Sequence, residues 1–409
     1  MGRIFFLIFC LFLSACGGGG RASPESREPG PEASTPEELR FLPGADDASY
    51  SLRLEEAARI AAFMDERLLA SQVLIAGLDG NSGLSAAMAA LLREVPPGGL
   101  MLFKYNLNTG KDAVRSFLAL CSNLVSEASG IAPFIAVDHE GGLVHRFGPG
   151  VKKLPPAFSF WELAQKEGPG AALEVLDREV SASAGEIRDL GVTMNFAPVA
   201  EVLNGDNLNF LQTRSYGPDP VFTEEAASAF VRAMDAAGIA CVVKHFPGNT
   251  GRDPHGGPAL LEADRAALDS MTEPFAGIIR SLRPPAIMVS HVTVPAVDGG
   301  KNASLSSLVM NDWLRKDLGF PGILIADDFS MGAVASSGLS PEKAAAEALI
   351  AGADMVMAWP GDLVLVRREI LRALEEGRLP RRRLREAAQR VIAEKIRYGL
   401  VQPAAAGGR

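Results

Sequence analysis

Eight short apolar runs alternate with longer amphipathic stretches along most of this chain. The apolar runs span 73–78, 99–104, 133–138, 192–198, 239–244, 286–291, 322–327 and 354–358. Residues with helical spacing lie between them, at 111–127, 156–190, 221–237, 264–282, 305–318 and 341–351. Nearly continuous apolar strands that alternate with helices indicate a parallel sheet covered by helices on both faces. Eight such units favour an α/β fold of the closed (β/α)8 barrel type over an open doubly wound sheet.

The last amphipathic stretch, residues 381–400, is expected to close the barrel as a C-terminal helix. Pro380 precedes this stretch, and proline suits the start of a helix because its missing N–H has no partner to lose there. The basic run Arg381–Arg383 is therefore interpreted as a solvated helix start and not as a binding patch. Residues 401–409 are expected to form a disordered tail.

The beginning of the chain has the pattern of an export signal. Arg3 precedes an apolar run, Ile4–Leu13, that is too short to span a bilayer. The Leu-Ser-Ala-Cys sequence that ends at Cys16 resembles the bacterial lipobox, which predicts that residues 1–15 are a lipoprotein signal peptide. Cys16 would then be lipidated, although ordinary cleavage after Ala15 stays an alternative.

The predicted lipid anchor at Cys16 determines the domain organisation and the cellular location that we expect for the protein. Residues 16–48 are rich in Gly, Ser, Pro and Glu, so they are expected to form a flexible tether. Residues 49–400 are expected to form the barrel. The protein is predicted to be exported and lipid-anchored to a bacterial membrane, on the periplasmic side or at the cell surface.

Composition excludes several classes of partner and cofactor. The formal net charge of -9 argues against nucleic acid, whose phosphates require a basic surface. The chain has no C-x-x-C pair, no G-x-G-x-x-G after the first strand and no Walker A sequence, so no zinc or nucleotide cofactor is expected. Cys121 and Cys241 lie in apolar patterns and are expected to be buried free thiols, with a disulfide between them as the alternative. We expect a monomer.

Four of the eight predicted strands end in titratable residues. They are Asp138, His139 and Glu140 at the end of the third strand, Lys244 and His245 at the end of the fifth, His291 at the end of the sixth, and Asp327 and Asp328 at the end of the seventh. Because the carboxyl ends of the strands meet at one rim of a β/α barrel, these side chains are predicted to lie close together. Burying them without partners would cost several kcal/mol, which favours an active site at this rim.

Several segments resemble one family of carbohydrate-cleaving enzymes. The segments, in chain order between about residues 55 and 400, are FIAVDHEGGLVHRF, GVTMNFAPVAEV, TRSYGPDP, VVKHFPG followed by DPH, AIMVSHVTVPAVD and GFPGILIADDFSMGAV. Together they resemble the β-N-acetylhexosaminidases of glycoside hydrolase family 3. The resemblance implies an exo-acting, retaining enzyme that releases N-acetylglucosamine, commonly from peptidoglycan fragments.

The same resemblance implies the catalytic residues. Asp327 corresponds to the nucleophile that forms a covalent glycosyl-enzyme, whereas Asp328 suits a helix N-cap. His255, in the D-x-H unit after the fifth strand, corresponds to the acid/base, and histidine titrates near neutrality. Asp253 of that unit would orient the His255 ring.

Further residues are implied in binding the terminal sugar. They are Asp138, Arg146, Arg214, Lys244 and His245, and His291 is expected to line the pocket as well. Arg146 could instead pair with a structural carboxylate.

The sequence departs from the family pattern at two places. Gly248-Asn249-Thr250 replaces the usual G-H-G, and the loop to His255 is about two residues short, which bears on the reach of His255. Leu143 stands where an arginine is common, which bears on specificity beyond the cleaved bond.

Other functions stay open at this point. A β-glucosidase of the wider family would take its acid/base from a second C-terminal domain, which we do not expect because the chain ends soon after the closing helix. A sugar-binding protein without activity, phosphate as the acceptor in place of water, and a Schiff-base lyase using Lys244 are further alternatives. A metal hydrolase is disfavoured because the five histidines show neither H-x-H nor H-E-x-x-H spacing.

Overall fold

Eight parallel strands form a barrel in the computed structural model, which describes residues 45–148, 150–252, 256–330, 332 and 337–401. The predicted signal peptide with Cys16, nearly all of the tether, Asp253, His255 and residues 402–409 lie outside this part of the chain. The barrel strands are β1 (Leu74–Gly77), β2 (Gly99–Leu102), β3 (Phe134–Val137), β4 (Met194–Asn195), β5 (Ala240–Phe246), β6 (Ala286–Val289), β9 (Ile323–Ala326) and β10 (Val356–Ala358).

Hydrogen bonding runs round the barrel in the order β10-β1-β2-β3-β4-β5-β6-β9. A parallel bridge between Ile325 and Met355 joins the two ends of the sheet, so the barrel closes. Strands β7 (Thr293–Val294) and β8 (Asp298–Asn302) pair with each other as an antiparallel hairpin. The predicted (β/α)8 fold is therefore confirmed, although the hairpin was not expected from the sequence.

Helices surround the barrel strands. In chain order they are α1 (Ala45–Ala62), α2 (Glu66–Gln72), α3 (Ala86–Glu94), α4 (Lys111–Ser129), α5 (Ala157–Glu167), α6 (Pro169–Asp189), α7 (Leu208–Leu211), α8 (Pro220–Ala236), α9 (Arg265–Leu282), a π-helix (Leu308–Asp317), α10 (Pro341–Ala351), α11 (Leu363–Glu375) and α12 (Arg381–Arg397). Helix α1 begins four residues before the predicted start of the barrel domain. Within the described residues, no helix is long and apolar enough to cross a membrane.

The barrel strands are mostly apolar because both of their faces are buried; the polar exceptions are Asn195 in β4 and Lys244 and His245 in β5. Ile75 of β1 packs in the barrel interior with Met101 and Phe134, whereas Leu74 and Ala76 face the surrounding helices. This alternation between two apolar environments explains why the strand sequences lack the polar alternation of a half-exposed sheet. The core thus has an inner layer within the barrel and an outer layer beneath the helices.

Helix α12 covers the amino-terminal end of the barrel, as the sequence predicted. Asp354, which precedes β10 and is fully buried, accepts hydrogen bonds from Arg383 at 2.9 Å and Arg390 at 3.0 Å, both on α12. Arg315 of the π-helix donates to the same carboxylate. Because these cations surround it, the pKa of Asp354 falls to about 2 although burial alone would raise it.

The contacts of Arg383 correct the expectation that the whole basic run Arg381–Arg383 is solvated. Arg381 and Arg382 are exposed, as expected for a solvated helix start, but Arg383 is half-buried. Its guanidinium also donates to the backbone carbonyl of Gly352 at 3.0 Å. This residue therefore ties the closing helix to the barrel, because it supplies part of the countercharge that Asp354 needs.

Two predicted helical stretches differ from the structure. The stretch 156–190 forms two helices, because Gly168 adopts a φ of 94° and Pro169 starts a new helix. The stretch 305–318 forms a π-helix preceded by a short 3₁₀ turn. Cys121 and Cys241 are buried free thiols, and burial raises the pKa of Cys121 to about 12.

Candidate active site

A cavity of about 250 Å³ opens at the carboxyl ends of the barrel strands. Its lining combines charged residues with apolar and aromatic ones: Met101, Phe103, Asp138, Glu140, Val144, Arg146, Phe196, Phe210, Arg214, Lys244, His245, Met288, Asp327, Asp328, Met357 and Trp359. All but one of the described residues that the sequence analysis assigned to catalysis or sugar binding are therefore brought together here, and the exception is His291.

Two carboxylates and two cations form an ion cluster in one wall of the cavity, in which Glu140 and Lys244 are buried and Asp138 and Arg214 are half-buried. The Lys244 ammonium lies 2.8 Å from Asp138 and 2.7 Å from Glu140. The Arg214 guanidinium donates two hydrogen bonds of 2.8 Å to Glu140. We call Asp138, Glu140, Arg214 and Lys244 the ion cluster. Its paired geometry is the form in which buried charges are tolerated.

The ion cluster keeps its members charged. Burial opposes ionisation of Glu140, but the neighbouring Lys244 and Arg214 cations hold the pKa of this carboxyl well below its usual range. Burial likewise disfavours the Lys244 ammonium, yet Asp138 and Glu140 raise the pKa of Lys244 above its usual value. A protonated lysine is a poor nucleophile, which weakens the Schiff-base alternative.

Arg146 lies at the edge of the ion cluster. Its guanidinium is 3.6 Å from the Asp138 carboxylate and is about one-third exposed, so it faces the cavity while pairing with that carboxylate. The chain reaches this position through Gly141 and Gly142, whose φ angles of 98° and 52° reverse its direction. A Cβ on Gly141 would lie 2.4 Å from the Pro155 carbonyl oxygen, so the turn requires glycine.

His245 is fixed by a carboxylate that the sequence analysis did not single out. Glu201 is buried, and its carboxylate lies 2.6 Å from the Nδ1 atom of His245. Glu201 also accepts hydrogen bonds from the Asn249 backbone N–H at 2.6 Å and from the Asn249 side chain at 3.0 Å. Asn249, at one of the departures from the family pattern, is thus held by the same carboxylate as His245.

Asp327 follows β9 at the floor of the cavity. Its carboxylate accepts a hydrogen bond of 2.8 Å from the backbone N–H of Asp328. Burial opposes ionisation, but the His291 and His245 rings, the Asp328 N–H and the Lys244 ammonium hold the pKa of Asp327 below its usual value. Asp327 is therefore an oriented, ionised carboxylate.

His291 corrects a prediction, because it is not among the cavity-lining residues. It is almost fully buried, and its Nε2 atom lies 2.9 Å from the Asp328 carbonyl oxygen while Nδ1 lies 2.6 Å from the Ser304 hydroxyl. The carbonyl oxygen can only accept, so Nε2 donates to it. Burial lowers the pKa of His291, whereas the nearby Asp327 carboxylate acts in the opposite direction. His291 thus supports the Asp327–Asp328 turn from behind.

The remaining candidates have structural positions. His139 is buried against Ser183 at 2.8 Å, and burial lowers the pKa of His139 to about 3. Asp328 accepts a hydrogen bond of 2.8 Å from the Ser330 N–H and one of 3.1 Å from the Trp359 indole. Across the described parts of the chain, no group of three or more His, Cys, Asp or Glu side chains could hold a metal ion.

Comparisons with known proteins agree on one family. Residues 69–393 match the family model described as "Glycosyl hydrolase family 3 N terminal domain". The chain is 35% identical over 285 residues to a beta-hexosaminidase of Methylococcus capsulatus, covering 67% of this chain and 79% of that protein. It is 33% identical to a beta-hexosaminidase of Stenotrophomonas maltophilia, covering 71% of this chain and 84% of the relative.

Solved structures give the same result. A glycoside hydrolase family 3 beta-N-acetylglucosaminidase from Paenibacillus superposes with a TM-score of 0.77 at 28% identity, over 85% of this chain and 65% of that chain. This chain thus spans just under two thirds of the Paenibacillus protein. A beta-N-acetylhexosaminidase from Beutenbergia cavernae superposes with a TM-score of 0.72 at 25% identity, over 82% of this chain and 99% of that chain.

Proposed function

The chain belongs to glycoside hydrolase family 3 and is a glycosidase of the β-hexosaminidase type, and from this premise we propose that it is an exo-acting, retaining β-N-acetylglucosaminidase. It removes terminal β-linked N-acetylhexosamine from peptidoglycan fragments or chito-oligosaccharides. The observation that carries this proposal is the ionised Asp327 carboxylate at the floor of a cavity walled by the ion cluster.

Retention requires a carboxylate nucleophile and a second group that acts first as acid and then as base. Asp327 attacks the anomeric carbon, and the bond from that carbon to the leaving oxygen breaks. His255 gives its proton to the leaving oxygen. A water molecule then attacks the glycosyl-enzyme as His255 takes its proton, which releases the sugar and frees Asp327. Asp253 orients His255 and stabilises its protonated form.

The ion cluster suits the recognition of a single terminal sugar. Asp138 accepts hydrogen bonds from sugar hydroxyls, while Arg146, Arg214 and Lys244 donate to hydroxyl and carbonyl oxygens. The Nε2 atom of His245 adds a further group, since Glu201 engages its Nδ1 atom. A site built from such groups rejects sugars that lack the matching hydroxyls, because its buried charges would then lose partners.

Replacing Asp327 by Asn should abolish turnover, because an amide cannot form the glycosyl ester. We expect the detergent-solubilised full chain to release the chromophore from an aryl β-N-acetylglucosaminide without added metal, and D327N to be slower by about 1,000-fold or more. A 5-fluoro-N-acetylglucosaminyl fluoride, which keeps the acetamido group at C2, should label Asp327 in peptide mass spectra. The matched control D328N keeps the nucleophile and should retain measurable turnover. Label found on another residue would refute the nucleophile assignment.

Replacing His255 by Ala should slow substrates in proportion to the basicity of their leaving group. A good leaving group departs without a proton, whereas a poor one needs the acid. We expect kcat on an alkyl glycoside to fall much further than kcat on a dinitrophenyl glycoside. Equal losses on both substrates would count against His255 as the acid.

We further propose that Cys16 carries a lipid that holds the protein on the membrane. The short apolar run and the lipobox-like sequence support this, and more than one acyl chain is needed for firm anchoring. In bacterial fractionation, the unmodified protein should sediment with membranes, and C16S should not. Membrane association that persists in C16S at high salt would contradict the proposal.

A further inference from the structure

Three aromatic side chains lie in a row from the cavity to the protein surface. The ring centres of Trp359 and Phe103 are 5.1 Å apart, and those of Phe103 and Tyr105 are 5.9 Å apart with nearly parallel planes. Trp359 and Phe103 line the cavity, whereas Tyr105 lies beyond its lining and is 51% exposed. We call these three residues the aromatic ladder. The catalytic steps and sugar contacts proposed above give these three rings no role.

The outer part of the ladder is held rigidly. The Tyr105 hydroxyl donates a hydrogen bond of 2.7 Å to the Leu78 carbonyl, which ties the exposed ring to the loop after β1. Asn106, fully buried, accepts from the Phe103 N–H at 2.8 Å and donates to the Gly80 carbonyl at 2.7 Å. An exposed ring fixed in this way presents a face to a ligand without losing further conformational entropy.

The inner end of the ladder is fixed beside the reacting residues. The Trp359 indole N–H donates a hydrogen bond of 3.1 Å to Asp328, the neighbour of Asp327. The Trp359 ring also packs on Gly77, where a Cβ would approach it to 2.7 Å. The ladder therefore begins next to the position of bond cleavage and leads away from it.

We propose that the aromatic ladder binds the sugar ring on the leaving-group side of the scissile bond, with Tyr105 as its outer platform. A pyranose ring has a face of C–H groups that packs on an aromatic ring, while its hydroxyls stay in water. The substrate is then an oligosaccharide, as opposed to a glycoside of a small alcohol. This inference rests on the proposed function, because it needs cleavage beside Asp327.

The position of each ladder residue decides which sugar ring that residue can contact. The charged residues suited to the terminal sugar come from the loop after β3, the loop between β4 and β5, and β5 itself, and of the ladder only Phe103 and Trp359 line their cavity. Tyr105 lies outside it, so a terminal sugar in the cavity leaves the Tyr105 face free. A second ring linked to that sugar is the group of the right size and chemistry to cover it.

The test compares two substrates that share the terminal sugar. N,N′-diacetylchitobiose has a sugar as its leaving group, whereas N-acetyl-β-glucosaminyl azide has a leaving group too small to reach Tyr105. For the full chain in detergent, Y105A should lower kcat/KM on the disaccharide by about 10-fold, since remote contacts contribute to transition-state binding. The same variant should change kcat/KM on the azide by less than about twofold.

Two matched variants serve as controls. Y105F keeps the ring and loses only the hydroxyl, so it should retain most of the activity on the disaccharide. F63A removes an aromatic ring that is 94% exposed on the turn after α1, and it should change neither substrate.

The possible outcomes distinguish a failure of the ladder assignment from a failure of the proposed function. Turnover of the azide by the unmodified protein establishes glycosidase action alone. If Y105A then loses activity equally on both substrates, or loses none on the disaccharide, the ladder assignment is wrong while the function stands. If the unmodified protein cleaves neither substrate, the proposed function fails. In that case, calorimetry compares the affinity for the disaccharide between D327N and the double variant D327N/Y105A. Equal affinities would overturn the ladder assignment.

Discussion

Charge balance within the ion cluster is the constraint on which the active site depends. Two carboxylates and two cations lie together, with Glu140 and Lys244 buried and Asp138 and Arg214 half-buried, and removing a buried member would leave its partners without their countercharge. Asp138 and Glu140 follow β3, Lys244 lies in β5, and Arg214 belongs to the intervening loop. The electrostatic requirement therefore fixes the relative positions of these segments and gives the cavity wall its fixed donors and acceptors.

The barrel could be predicted because burial of both strand faces leaves an apolar run in the local sequence of each strand. Strands buried on both faces are mostly apolar, so all eight barrel strands stand out in the sequence, although β4 contains Asn195 and β5 contains Lys244 and His245. The π-helix Leu308–Asp317 and the hairpin of β7 and β8 could not be predicted. Their conformations depend on packing against the barrel, whereas their sequences have ordinary helical or loop character.

The sequence predicted where the site residues lie better than it predicted which residues they pair with. Asp138, Lys244 and Asp327 follow from the rule that strand ends converge, but pairing across the barrel depends on three-dimensional distances. Glu140 was named among the titratable residues at the rim but was given no role, and Glu201 was not singled out; a carboxylate close to the end of an apolar run was the available signal for both. His291 was expected in the lining because it lies at a strand end, but its ring nitrogens contact Ser304 and the Asp328 carbonyl and it is not among the residues that line the cavity.

Replacing Glu140 by Gln tests the role of the ion cluster most directly. The change keeps the side chain's shape but leaves Lys244 and Arg214 with one carboxylate between them. We expect the free energy of unfolding to fall by about 3 kcal/mol and the affinity for N-acetylglucosamine to fall with it. The exposed control E127Q should change neither quantity. An E140Q protein with unaltered stability and unaltered sugar affinity would show that the ion cluster does not build this site.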